Sequence, residues 1–164
     1  MRRRAARAYA IQSLYHMEMN ETPAEQAVTT VIHDGQDDDA PVPNYTREQL
    51  DYVLSLVEGT TGNRDLIDRV LPNYLKGWKL DRLSRVDRQI LRLAVYELLF
   101  VEEVPPRVVV NEAIELAKHF GTEESGKFVN GVLGKLIQDL DRLRAELKPD
   151  LTSRRGDANE RENH

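Results

Sequence analysis

"SRVDRQILRLAVYELLF" occupies residues 84–100. Val86, Ile90, Leu93, Ala94 and Leu98, continued by Val101, recur at helical intervals. At about 100° per residue they gather on one side, the mark of a helix packed on a core. Glu97 falls inside this stripe. A carboxylate there needs a partner, because burying an unsatisfied charge is costly or forces it to neutralise. The expected partner is the start of the next helix, after Pro106, where free backbone amides and the helix dipole favour negative charge. Glu97 is therefore assigned a structural role. It has no neighbouring acid, histidine or nucleophile with which to form a catalytic constellation.

The helical period extends in both directions. Helices are predicted at roughly 3–19, 23–33, 46–61, 64–75, 84–102, 107–120 and 123–147. Thr22 with Glu25 and Thr46 with Gln49 spell capping boxes, Ser84 with Asp87 makes a similar start, and Gly121 is placed to end the helix before it. "VVV" at 108–110 is too short for a strand and leads into a helical pattern. The predicted fold is all-α, a single domain of about seven helices in two helical subdomains over residues 1–147. Residues 33–44, "HDGQDDDAPVPN", read as an acidic loop, and the charged tail 148–164 as disordered.

Hydrophobic residues make up 40 % and charged residues 31 % of the 164, a balance that suits a soluble globular chain. With no cysteine there is neither a disulfide nor a thiolate metal site, and the four histidines lack ligand spacing. No metal and no cofactor are implied. No apolar run reaches the ~20 residues that span a bilayer, so the expected location is the cytoplasm. The arginines at the start precede no apolar signal segment. The helical pattern that follows them runs through Leu14 and Met17 without the break a presequence would show. "GTEESGKF" at 121–128 nearly spells a phosphate-binding loop, but Phe128 replaces its hydroxyl residue and a helix precedes it where a strand is required.

Two faces remain for binding. In the first helix Ala6, Ala10, Leu14 and Met17 form the inner stripe, and Arg3, Arg4 and Arg7 fall on an overlapping arc, so the stripe is expected to turn basic where the helix leaves the core. Guanidinium groups offer paired donors to phosphate. On the last long helix Val129, Val132, Leu133, Leu136, Leu140, Leu143 and Leu147 form the core stripe, whereas Glu124, Lys127, Phe128 and Gly131 share a flanking arc. An aromatic beside a lysine suits base stacking; the competing reading is that Phe128 covers a neighbouring helix.

Four segments together resemble the NusB family of bacterial transcription antitermination factors. They are R-x-x-A-x-x-S-L-Y ending at Tyr15, "DRQILRLAVYEL" at 87–98, "VPPRVVVNEAIELAKHFG" at 104–121 and "ESGKFVNGVL" at 124–133. The resemblance implies a helical, non-enzymatic protein that binds the single-stranded boxA element of ribosomal RNA transcripts with NusE, a small ribosomal subunit protein, within an RNA polymerase antitermination complex. Arg3, Arg4 and Arg7 match the family's RNA-contacting arginines, with Tyr15 on an adjoining face. Phe128 and Glu124 match its RNA-facing aromatic and acidic positions, with Lys127 between them. Asp87 aligns with an acidic position of the protein-partner surface, beside Arg88, which is expected to be exposed. Ala5 stands where the arginine run can continue, and Arg2 is given a lesser part. Monomer and homodimer both remain open. Two rival readings are a helical protein-interaction module without RNA binding and a relative of the amino-terminal domain of RNA cytosine methyltransferases. The second would need a catalytic domain for which the chain carries no glycine-rich cofactor loop.

Overall fold

The computed structural model describes residues 2–35 and 45–147. Seven α-helices follow in order: α1 (Arg3–Asn20), α2 (Ala24–Asp34), α3 (Arg47–Gly62), α4 (Arg64–Val70), α5 (Arg85–Phe100), α6 (Pro106–Phe120) and α7 (Glu123–Gln138). A further helical stretch covers 140–147. Helices α1, α2 and α3 pack on one another, α6 packs on α7, and α5 touches both groups. One buried cluster runs through the two groups, from Ala6 and Ile11 to Leu133 and Leu136. The all-α expectation holds, and the structure contains no strand among the described residues.

The central helix explains the arrangement. Besides the predicted stripe, α5 buries Gln89, Leu91, Arg92, Val95 and Leu99, so it is enclosed on nearly every side. Its buried polar groups are accordingly paired. Arg92 donates from Nε and Nη2 to Asp68 of α4, both at 2.9 Å. At the other end Arg144 donates to the carbonyl of Leu98 at 2.7 and 3.0 Å, satisfying an acceptor that the helix end leaves free.

Local chemistry sets the boundaries. The capping box of Thr46 and Gln49 is formed, and Ser84 accepts from the Asp87 amide. The box predicted at Thr22 is not: Pro23 takes the N-cap position without a side-chain bond, and the Thr22 hydroxyl is buried without a protein partner. Residues 64–75 are not one α-helix. Pro72 has no N–H to continue the ladder, and the chain tightens to a 3-10 turn at Leu71–Tyr74. The long last helix is also divided. Asp139 adopts φ −101° and ψ 6°, while its carboxylate accepts from the Tyr74 hydroxyl at 2.7 Å and pairs with Arg142 at 3.2 Å. The acidic-loop expectation began too early, because His33 and Asp34 complete α2; residues 36–44 and the tail 148–164 lie outside the described residues.

Candidate nucleic-acid interface

The three arginines of α1 go to three different helices. Arg7 is 3 % exposed and points inward, where its guanidinium donates from Nε and Nη2 to the Glu97 carboxylate at 2.9–3.2 Å. Burial opposes its charge, but the hydrogen bonds and the carboxylate prevail and hold its pKa above the ordinary range. This corrects two expectations. Arg7 is unavailable to phosphate, and Glu97 is satisfied by Arg7 of α1 rather than by the amides that start α6. The physical reason is that the core reaches back to Ala6, itself 1 % exposed, so the inner stripe of α1 is still inside it at Arg7.

Arg4 turns toward α6 and forms a fork with Glu112 at 2.8 and 2.9 Å while its side chain stays 63 % exposed. Arg3 lies over the Tyr52 ring of α3, 5.5 Å from its centroid. Arg2 is exposed beside Arg4 on a groove of about 460 Å³ between α1 and α6, closed by Ala8, Leu116 and His119. Tyr15, further along α1, lines a second cleft of about 590 Å³ with Asp87, Phe120 and Ser125. Ser125 Oγ stands 3.5 Å from the Asp87 carboxylate.

Arg88 departs from expectation. Its side chain is 11 % exposed and is paired with Glu18 of α1, which also accepts from Gln89 at 2.8 Å. Asp87 thus faces the cleft without the exposed cation predicted beside it.

On α7, Thr122 caps the first turn through the Ser125 amide. Glu124 and Lys127 form an exposed pair at 3.5 Å. Phe128 is half-buried against the core and opens onto a third cleft, of about 220 Å³, together with Trp78. Gly126 has a packing reason rather than a phosphate-binding one: a Cβ there would stand 2.8 Å from Cγ of Lys118, where α6 crosses α7. The sequence reading missed Trp78 and its neighbouring lysines. Their signal, "KGWK" at 76–79, lies between helices and belongs to no periodic pattern.

The carboxylates on this side also report on pH. The Arg4 hydrogen bond holds Glu112 below the usual carboxylate range, and for Glu18 the contacts with Gln89 and Arg88 outweigh the opposing effect of burial. Groups with depressed pKa stabilise the fold above their unfolded pKa and lose that contribution as pH falls through the folded value. Urea midpoints are therefore expected to decline below about pH 4. The decline should be shallower in Glu112→Gln, as unfolding curves measured across pH would show.

Residues 4–138 match the NusB family. The chain belongs to the NusB family. The transcription antitermination protein NusB of Bacillus licheniformis is 43 % identical over 141 residues, which span 86 % of this chain and all of that protein. Among solved structures, NusB of T. maritima superposes with a TM-score of 0.70 at 37 % identity, covering 89 % of this chain and 92 % of that one. A crystal structure of NusB and NusE in complex with double-stranded RNA matches with a TM-score of 0.71 at 27 % identity, covering 83 % and 96 %. Among the described residues no helix is long and apolar enough to cross a membrane.

Proposed function

We propose that this protein is a non-enzymatic antitermination factor of the cytoplasm, one that binds boxA-type RNA together with NusE and so supports transcription and maturation of ribosomal RNA. The observation that carries the reading is the set of exposed Arg2 and Arg4 in the α1–α6 groove, Tyr15 in the cleft with Phe120, and Phe128 in the cleft with Trp78, on a chain of the NusB family. Together they supply charge and aromatic faces, the pairing by which single strands are held. Arg3, Arg4, Tyr15, Glu124, Lys127 and Phe128 are the proposed RNA contacts, with Asp87 toward the protein partner. Arg4 and Lys127 are each already paired with a carboxylate, so RNA must displace or share Glu112 and Glu124.

The test is a titration with boxA-type single-stranded RNA at several salt concentrations, with and without NusE. Log affinity should fall linearly with log salt, at a slope of about −0.7 per phosphate contact. A duplex of the same sequence serves as comparison. No binding to either RNA, with NusE present, would refute the proposal and favour a module that contacts proteins only.

A further inference from the structure

Between the 3-10 turn and α5 the chain reverses through Lys76 and Gly77, at φ +49° and +87°. A positive φ is uncommon for a residue other than glycine. Here it closes a turn in which the Trp78 amide donates to the Leu75 carbonyl at 3.0 Å. The turn leaves Trp78, the chain's one tryptophan, 61 % exposed. A ring of this size is usually covered by protein or kept for a ligand.

Trp78 does not stand alone. It shares the cleft of about 220 Å³ with Phe128, and Lys76 and Lys127 form part of the wall. Among the described residues the lysines that form ion pairs are Lys118 and Lys127. Of the two lysines in the cleft wall, Lys127 pairs with Glu124, and Lys76 forms no ion pair among the described residues. An ammonium without a carboxylate partner is open to an anion, and lysine is an effective point-charge ligand for phosphate.

We propose that this cleft is a nucleotide subsite, in which Trp78 stacks one base of single-stranded RNA and Lys76, beside Lys127, holds the adjoining phosphate. The inference rests on the RNA reading above and extends it from Phe128 onto the α4–α5 connection. A basic ribosomal protein is the poorer occupant, because its charge has the same sign as the lysines. The aromatic pair also accounts for the exposed ring: Phe128 and Trp78 line one cleft, and a sequence-tolerant stack needs only π-faces.

The sole tryptophan supplies its own reporter. The full chain is titrated with boxA-type single-stranded RNA while tryptophan emission is followed, and in parallel the anisotropy of the same RNA carrying a dye. Emission should be quenched with the midpoint that anisotropy gives. Trp78→Ala should raise Kd by about 5- to 150-fold, the range expected for one lost stack, whereas Trp78→Phe keeps a ring and most of the affinity. Lys76→Gln should reduce the steepness of the salt slope by about 0.7. Binding by anisotropy with unchanged emission, and with Kd unaltered in Trp78→Ala, overturns the subsite and leaves the RNA reading intact. Quenching by NusE alone, with Trp78→Ala weakening that complex and not RNA, also overturns it and assigns the cleft to protein. Absence of any anisotropy change in the unmutated protein overturns the RNA reading itself.

Discussion

Glu97→Ala is expected to cost about 3–5 kcal/mol of folding stability, the usual consequence of leaving one member of a buried ion pair without its partner. Arg7 and Glu97 are 3 % and 2 % exposed, and the pair joins α1 to the central helix. Removing the carboxylate leaves the guanidinium without an acceptor in a place where water does not reach it. Arg7→Ala should cost a similar amount for the converse reason. The double variant Arg7→Met/Glu97→Leu removes both charges and restores apolar volume, so it should recover most of the loss. Urea unfolding followed by circular dichroism measures all four proteins. Single variants as stable as the parent would refute the pairing. RNA titrations on the folded fraction separate this role from the one first read in the sequence: a phosphate contact at Arg7 would lower RNA affinity in Arg7→Ala and leave stability unchanged.

That pair also shows what a single sequence reveals. Helical phase marked Glu97 as buried and in need of a partner, because its position within an apolar stripe is a local property. It could not identify the partner, because which helix faces that turn depends on the packing of the whole. Arg7 was misread for the same reason. Arg3, Arg4 and Arg7 do lie on one side of α1, but that side meets α3, α6 and α5 in turn, and each guanidinium found a different neighbour. Arg88 was taken as exposed although Glu18 of α1 covers it. The fold itself was more legible. Stripes on α1, α5 and α7 and the caps at Thr46 and Ser84 place helices, and two helices were read too long at Pro72 and Asp139, where side-chain chemistry interrupts a pattern that periodicity alone would continue. Trp78 was overlooked because a turn carries no period to read.

Phe128→Ala is expected to weaken boxA-type RNA binding by about 1–3 kcal/mol, the contribution of one stacked base. Phe128 is half-buried, so the same change should also lower folding stability, by roughly half of the ~3–5 kcal/mol that a fully buried phenylalanine contributes. The sequence left two readings, a stacking surface and a cover for a neighbouring helix, and the position is compatible with both: Phe128 is packed partly against the core and also lines the cleft with Trp78. Phe128→Leu distinguishes the two contributions. Leucine preserves much of the apolar contact and removes the π-face, so stability should return toward the parent value while the loss in RNA affinity persists. Chemical unfolding and RNA anisotropy, measured on both variants, give the two quantities independently. If Phe128→Leu binds RNA as the parent does, while Phe128→Ala loses stability and affinity together, the ring is a packing element and the RNA path ends before α7. Should affinity fall in both and stability only in the alanine variant, Phe128 is the point at which the hydrophobic core itself becomes part of the binding surface.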